Sequence, residues 1–169
     1  SGLLTLLITR GSMLGTPWNH SGNPGIYISI RPITTISEYP VKVVYLNEIK
    51  YPIIRFNPAI KSMNYIGNMK AKKDAESLGA YEPVFYNSDG LITECAIRNV
   101  FYIKDGVLLT PSLNLGVLPG VIRSTVINIA IEMGMKVDEA QIPFETINNM
   151  DEAFISSTGI GLLPCYWDG

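Results

Sequence analysis

The sequence predicts an α+β (mixed α/β) fold, with hairpin strands and separate helices. Two turns that end in Asp-Gly, at 87–90 and 104–106, join short apolar segments in the way that antiparallel hairpins are joined. Asn64–Leu78 has the apolar spacing of an amphipathic helix, and a second helix is predicted over Val121–Met133. Because the hairpin strands are separate from the helices, the pattern favours α+β over a doubly wound parallel sheet.

The first part of the chain predicts two strands, at Leu3–Thr9 and Gly25–Arg31, which flank a loop rich in glycine, proline and serine over 11–24. Arg31–Pro40 then lacks periodicity and contains two prolines, which indicates a domain junction. The chain begins at once with an apolar strand and ends on a turn, so we expect a fragment trimmed at both ends.

The rest of the chain holds the remaining strands and both helices. Strands are predicted at Val41–Tyr45, Tyr51–Arg55, Pro83–Tyr86, Leu91–Glu94, Val100–Ile103, Val107–Leu109, Met135–Asp138 and Ala153–Ser156. The four strands between 83 and 109 read as a meander, and a short helix is expected near Phe144–Met150. The residues that we expect the first helix to bury are Ile66, Met69, Ala75 and Leu78. Its lysines are expected to form a solvated face, and these are Lys70, Lys72 and Lys73.

Composition excludes several classes of function. The chain has 169 residues, of which 47% are hydrophobic and 17% charged, so it can bury a core. A net charge of −2 lacks the basic footprint of a non-specific nucleic-acid binder. His20 is the single histidine, and Cys95 and Cys165 form no CxxC motif, so no metal site is predicted. We expect a reduced, cytoplasmic protein without membrane spans, because no segment reaches the roughly 20 apolar residues that cross a bilayer.

Two charged residues are candidates for chemistry because of where they lie. Lys61 follows an apolar strand and a proline break and leads directly into a helix. Most lysines near strand ends are solvated, but a desolvated lysine has a lowered pKa and becomes a nucleophile toward carbonyls. Glu94 ends an apolar strand, where a carboxylate is costly to bury without a cation. That cation is either a side chain such as Arg98 or Arg123, or part of a ligand.

Two segments have the composition of anion-binding turns. Gly116–Arg123 contains a Pro-Gly turn that enters the second helix, and a helix N-terminus offers free N–H groups and a favourable dipole to a phosphate. Ser156–Gly161 follows a strand with hydroxyls and glycines. Either segment alone is more often an ordinary turn, and neither matches the P-loop pattern. Together they indicate a bound phosphate.

One ligand would satisfy these candidates if it carried a carbonyl, a basic ring nitrogen and a phosphate. Pyridoxal 5′-phosphate (PLP) carries all three groups. On this interpretation Lys61 holds the aldehyde as a Schiff base, Glu94 keeps the pyridine nitrogen protonated, and the two turns bind the phosphate. Once the substrate amine displaces Lys61, its amine is placed to act as general acid and base.

Four motifs occur in order along the chain: Lys61–Tyr65, Gly90–Glu94 with Asn99–Phe101, Leu118–Arg123, and Asp151–Phe154 with Ser157–Thr158. Over nearly the whole chain they resemble the class IV aminotransferases. These fold-type IV PLP enzymes include branched-chain aminotransferase, D-amino-acid transaminase and aminodeoxychorismate lyase. The resemblance implies a pseudobarrel PLP-binding domain over 37–169, a linker at 33–36, and the C-terminal part of a small α+β domain at 1–32.

The resemblance also implies roles for individual residues near the cofactor ring. Lys61 matches the Schiff-base lysine, Glu94 the partner of the pyridine nitrogen, and Leu118 the residue that packs on the ring face. Tyr65 falls where branched-chain enzymes have a tyrosine near the cofactor oxygen. The spacing from Lys61 to Tyr65 is one residue shorter than in those enzymes.

The phosphate and the partners follow from the same resemblance. The backbone N–H groups of Val121 and Ile122 match one phosphate cradle, and Ser157 and Thr158 match the second. Ile122 stands where many transaminases have a threonine, so that hydroxyl contact would be lost. Family members are usually homodimers, and their substrates are an amino acid and a 2-oxo acid.

Three functions stay open at this point. The first is an aminotransferase that moves an amino group between an amino acid and a 2-oxo acid. The second is aminodeoxychorismate lyase, which releases pyruvate and 4-aminobenzoate, because Glu94-Cys95-Ala96 is similar to the glutamate-cysteine pattern of the lyases. The third is a non-catalytic domain of the same fold. The presence of both Lys61 and Glu94 argues against it, because such a domain has no use for them.

Overall fold

The computed structural model describes residues 2–33 and 37–168. Contacts divide the chain into two compact units, Ser1–Ile36 and Ser37–Gly169. Residues 34–36 of the predicted linker lie outside the described residues. The assignment of these units to a small domain and a cofactor-binding domain stays a prediction.

The first unit consists of two strand pairs. β1 (Gly2–Ile8) pairs antiparallel with β4 (Ile26–Pro32), so both predicted strands are confirmed with a shift of one residue. The predicted loop between them was wrong in part, because it contains β2 (Met13–Leu14) and β3 (Thr16–His20). Gly15 joins these two short strands with a φ of +84°, a conformation that favours glycine.

The second unit is built on a mixed sheet of eight strands, which confirms the α+β class. Its strands are β5 (Val41–Asn47), β6 (Glu82–Tyr86), β7 (Ile92–Cys95), β8 (Asn99–Lys104), β9 (Val107–Pro111), β10 (Lys136–Ala140), β11 (Glu152–Ser157) and β12 (Gly161–Tyr166). Their order across the sheet is β10-β9-β8-β11-β12-β5-β6-β7. The pairs β10/β9, β12/β5 and β5/β6 are parallel. Val43, Tyr102, Ile155 and Leu163 lie in the core that this sheet supports.

The predicted meander is in fact two separate hairpins. β6/β7 and β8/β9 are antiparallel as expected. However, β7 lies at one edge of the sheet, whereas β8 pairs with β9 on one side and β11 on the other. Because both sides of β8 are occupied, β7 has no place beside it.

Two strand predictions failed around prolines. Tyr51–Arg55 is a turn followed by an irregular segment, and it has no ladder partner among the described residues. Pro52 has no N–H to offer a ladder, and the N–H of Tyr51 bonds back to the carbonyl of Glu48. Conversely, the sequence does not predict β12, because Pro164 interrupts its pattern. Pairing of β12 with β5 begins only at Cys165, beyond that proline.

Both predicted helices form, α1 over Ile66–Ser77 and α2 over Val121–Glu132. Gly79 and Gly134 follow them with positive φ, as expected of helix stop signals. The short helix expected near Phe144 is a 3-10 helix over Phe144–Asn149. No helix in the described parts of the chain is both long and apolar enough to cross a membrane.

The buried face of α1 differs from the predicted one. Of the four residues expected inside, only Ala75 is buried, and the exposed ones are Ile66, Met69 and Leu78. The helix instead packs through Gly67, Ala71 and Ala75, which lie one turn apart. A Cβ on Gly67 would lie 2.6 Å from the carbonyl oxygen of Pro52, so this face accepts only small residues. Large apolar side chains are therefore turned outward.

We expect Gly67→Ala to lower the free energy of unfolding by about 1–3 kcal/mol, because the added methyl group would overpack against the backbone of Pro52. In an ordinary helix interior the same change is stabilising by roughly 0.5–1 kcal/mol, so the sign of the effect is informative. Urea unfolding followed by circular dichroism measures it. Lys73→Ala, at an exposed position of the same helix, is the control. A more stable Gly67→Ala variant would contradict the close approach.

Candidate active site

A cavity of about 300 Å³ in the second unit brings the candidate residues together. Four separate segments line it: the stretch before α1, the end of β7, the turn before α2 and the end of β11. The sequence-predicted site residues among its lining are Lys61, Tyr65, Glu94, Leu118, Val121, Ile122, Ser157 and Thr158. All the predicted positions therefore meet at one place, while their roles stay predictions.

Lys61 is held by a neighbouring tyrosine and is exposed. Its Nζ donates a hydrogen bond to the Tyr65 hydroxyl at 3.1 Å. Tyr65 is the N-cap of α1, so the start of the helix positions the acceptor. The expectation that Lys61 is desolvated was wrong, because its side chain is exposed to solvent. Its apolar neighbours Ile60 and Met63 are themselves exposed and do not cover the amine.

Glu94 is a largely buried carboxylate with two donors. Arg55 Nη1 donates to Glu94 Oε1, and the Leu118 backbone N–H donates to Oε2 at 3.2 Å. Burial raises the pKa of Glu94, whereas the Arg55 charge, the Leu118 N–H and the Lys61 charge oppose that rise.

Sequence reasoning missed Arg55, which lies between two carboxylates. Besides its contact with Glu94, its Nε and Nη2 donate to Glu48 Oε2 at 3.2 and 2.9 Å. Nη2 also donates to the Thr93 hydroxyl at 2.9 Å. The available signal was an arginine within the apolar segment 51–56, because an arginine that faces inward needs a carboxylate near it.

The two arginines suggested as partners of Glu94 bind other carboxylates instead. Arg98 Nη1 pairs with Glu82, whose side chain is fully buried. Arg123 Nη2 pairs with Glu139 at 2.7 Å. Both arginines have closer acidic neighbours on adjacent elements, so neither is free to reach Glu94.

The Glu82 cluster holds one wall of the cavity. The Ile97 N–H donates to Glu82 Oε1 at 3.1 Å, and both Ile97 and Arg98 line the cavity. Lys72 Nζ lies 3.3 Å from Glu82 Oε2, so this lysine belongs to a buried ion-pair cluster and not to the predicted solvated face. Lys70 and Lys73 are exposed, as predicted.

The turn before α2 presents backbone N–H groups to the cavity. α2 begins at Val121 with Gly120 as N-cap, and no side chain in the described residues caps this end. Its first-turn N–H groups therefore lack partners within the helix. Asn99 Nδ2 donates to the Leu118 carbonyl at 3.0 Å, and Asn99 Oδ1 lies 2.1 Å from where a Cβ on Gly120 would be. Only glycine permits this close packing, which holds the turn in place.

Hydroxyl groups at the end of β11 complete the lining. Ser157 is half-buried and Thr158 is exposed. Ser156, the first residue of the anion-binding segment predicted at Ser156–Gly161, also lines the cavity and is only 1% exposed. Its Oγ has no hydrogen-bond partner in the described part of the chain. A buried hydroxyl in this state indicates a polar ligand or a water beside it.

The cavity thus combines a primary amine, an ion-paired carboxylate, uncapped helix N–H groups and several hydroxyls. The amine can attack a carbonyl, and the carboxylate can accept a proton or hold one on a basic ring atom. The helix N-terminus and the hydroxyls can bind a phosphate. The sequence analysis predicts the same three roles for these residues: an amine for a carbonyl, a carboxylate for a basic ring nitrogen and turns for a phosphate.

A family model described as Amino-transferase class IV matches residues 1–166. A relative from Methanocaldococcus jannaschii, provisionally named branched-chain-amino-acid aminotransferase, is 31% identical over 165 residues. That match covers 96% of this chain and 57% of the relative, so the chain spans little more than half of the relative's length.

Two solved structures have a similar fold. A protein from Legionella pneumophila, provisionally named 4-amino-4-deoxychorismate lyase, has a TM-score of 0.88 at 22% identity, over 98% of this chain and 61% of that one. Branched-chain amino acid aminotransferase from Thermobaculum terrenum, solved in its PLP form, has a TM-score of 0.80 at 25% identity, over 96% and 54% respectively. The expected fold is confirmed by both.

We expect Arg98→Met to destabilise the protein by about 3–5 kcal/mol, because it removes the main counter-charge of the buried Glu82. The double variant Glu82→Gln, Arg98→Met should recover part of this loss, since it also removes the buried charge. Urea unfolding of the parent, both single variants and the double variant measures the coupling. Lys104→Met, which breaks an exposed pair with Asp151, is the control and should have little effect. Equal losses in Arg98→Met and Lys104→Met would contradict the cluster.

Proposed function

Because this chain belongs to the class IV aminotransferases, we propose that it moves an amino group between an amino acid and a 2-oxo acid, with PLP as cofactor. The observation that carries this proposal is the meeting of Lys61, Glu94 and the N-terminus of α2 around one cavity. A primary amine, a buried carboxylate and an anion-binding turn are the three groups that such a cofactor needs from a protein.

The residues present fit the cofactor at each of its functional groups. Lys61 supplies an amine for the aldehyde, Glu94 a carboxylate for the ring nitrogen, and the first turn of α2 N–H donors for the phosphate. The unpartnered Ser156 Oγ is a further polar atom that a bound ligand would satisfy. When bound, PLP supplies a ring that accepts electrons and so stabilises a carbanion at the substrate α-carbon.

Lys61 is the proposed attachment point and the proton carrier. Its Nζ would hold the cofactor at the aldehyde carbon, with loss of water, and the amine set free by the substrate would move a proton at the substrate α-carbon. The Tyr65 hydroxyl accepts a hydrogen bond from Nζ and so orients the amine. Leu118, whose backbone is bound by Glu94 and Asn99, is proposed to pack on the ring face.

Glu94 is proposed to hold the proton on the ring nitrogen. Its carboxylate must be ionised to do so, and burial opposes ionisation by raising its pKa. Arg55 and the Leu118 N–H favour the ionised form. They occupy one acceptor site on each oxygen, and a carboxylate has further lone pairs for the ring N–H.

The phosphate is proposed to lie between α2 and the end of β11. The N–H groups of Val121 and Ile122 point from an uncapped helix end, where an anion is also favoured by the helix dipole. Ser157 and Thr158 add hydroxyls from the opposite segment. Since Ile122 has no hydroxyl, its contribution is limited to its backbone.

The substrate pair, a homodimeric assembly and a cytoplasmic location are further proposals. The name of the Methanocaldococcus jannaschii relative makes a branched-chain amino acid, with a 2-oxo acid as acceptor, the first pair to test. Aminodeoxychorismate lyase is the second candidate, since Cys95 follows Glu94 and Ile122 replaces threonine, both as in the lyases. The two reactions are separable: transamination requires an added 2-oxo acid, whereas the lyase releases pyruvate from aminodeoxychorismate without one.

We expect Lys61→Ala to abolish covalent attachment of PLP to the full chain. The substitution removes the amine that lines the cavity and is proposed to bond to the aldehyde. Borohydride reduction with PLP followed by peptide mass mapping measures it, and the parent should carry a pyridoxyl group on Lys61. Turnover by the active protein should fall by at least about 10²–10⁴-fold in the same variant. Lys70→Ala, which removes an exposed lysine of α1, should behave as the parent.

A parent chain that is folded but carries no adduct at Lys61 would overturn the catalytic proposal. A non-catalytic domain of the same fold would then be the better description. Labelling of Lys70 and other exposed lysines to the same extent as Lys61 would likewise count against a specific site.

A further inference from the structure

Glu48 contacts Arg55, the arginine that also binds Glu94, the carboxylate proposed to hold the cofactor ring. Glu48 does not line the cavity that Glu94 faces. It is the first residue of a 3-10 helix, Glu48–Lys50, which directly follows β5. Its Oε2 accepts from Arg55 Nε and Nη2, while Arg55 Nη1 reaches Glu94 on the opposite side. Glu48 lines a neighbouring cavity instead, and Arg55 borders both cavities. Nothing in the proposed function uses Glu48.

Two carboxylates therefore share one guanidinium. Both carboxylate side chains are only 15% exposed, and Arg55 is 18% exposed, so water screens them weakly. With all three groups ionised, the cluster of Glu48, Arg55 and Glu94 has a net charge of −1, since one arginine faces two glutamates. The charge of Lys61 also lowers the pKa of Glu94, and its amine is the one proposed to bond to the cofactor.

We propose that Glu48 is a positioning residue that acts through Arg55 to keep the site around Glu94 anionic, and thereby favours the protonated ring nitrogen of the cofactor. This inference rests on the proposed function. If Arg55 faced Glu94 alone, the pair would be neutral and would attract a cationic ring nitrogen only weakly. Glu48 balances Arg55, which leaves the charge of Glu94 available to the ring. A proton on the ring nitrogen then balances the net charge of −1 on the cluster of Glu48, Arg55 and Glu94.

Glu48 also fixes the direction of the guanidinium. Its contacts occupy Nε and Nη2, which leaves Nη1 for Glu94, and Thr93 Oγ1 accepts from Nη2 at 2.9 Å. Thr93 is only 1% exposed and its hydroxyl lies 3.3 Å from Glu48 Oε2. This network holds Arg55 at the edge of the site. Asp89, from the β6–β7 turn, is the other acidic group of the neighbouring cavity, and it is exposed.

The test reads the ring nitrogen directly. The full chain, Glu48→Gln and Glu48→Ala are each loaded with PLP labelled with ¹⁵N in the ring, and the ¹⁵N chemical shift is followed against pH. We expect both variants to lower the pKa of the ring nitrogen by about one unit, because a negative charge is removed at short range. Gln keeps an oxygen for Arg55 and the shape of Glu48, and Ala provides a second variant if the first does not fold.

Asp89→Asn is the matched control, since it removes the same charge from the same neighbouring cavity without a contact to Arg55. A shift in both Glu48 variants and none in Asp89→Asn would support the proposal. A ring nitrogen that titrates alike in the parent and the Glu48 variants would overturn it, while bound cofactor would leave the proposed function standing. Equal shifts in Asp89→Asn would also overturn it, because general charge and not Arg55 would then be responsible. A parent without bound cofactor would overturn both.

Discussion

The burial of the Glu94 carboxylate constrains the rest of the candidate site. A buried carboxylate needs charged or hydrogen-bonding partners, and each partner of Glu94 comes from a different segment of the chain. Arg55 belongs to the irregular segment that follows the 3-10 helix Glu48–Lys50, and Leu118 to the turn before α2. Through these hydrogen bonds, Glu94 connects the edge strand β7 to both segments. All three parts contribute residues to the lining of the cavity.

The second connection runs through the sheet itself. Asn99 in β8 and Ser156 in β11 are direct cross-strand partners. Asn99 binds the Leu118 carbonyl and packs against Gly120, so it fixes the turn that starts α2. The same register that aligns β8 with β11 therefore brings the hydroxyls at the end of β11 close to the free N–H groups of α2. A one-residue slip of β11 against β8 would turn Ser156 to the face opposite Asn99 and separate the two proposed anion-binding segments.

Local signals in the sequence predicted most strands, both helices and the turns, because these depend on residues close along the chain. Features that depend on distant partners were missed or misjudged. Arg55 meets Glu94 at a separation of 39 residues, and no local pattern indicates that contact. Periodicity identified α1, yet it could not show that the backbone of Pro52 admits only Gly67 and small neighbours on the buried face. The candidate site residues were found by motif spacing, and the cavity brings them together, but spacing says nothing about the exposure of Lys61.

Glu82 and Glu94 show two different solutions to the burial of a carboxylate. Glu82 is fully buried, touches two cations, Arg98 and Lys72, and receives the Ile97 N–H. The counter-charges and the hydrogen-bond donor of Glu82 therefore all come from the protein itself, which is the arrangement expected of a structural ion pair. Glu94 instead shares its one arginine with Glu48 and faces a cavity. This arrangement leaves Glu94 open to a cationic group that enters the cavity, which is the role proposed for the cofactor ring.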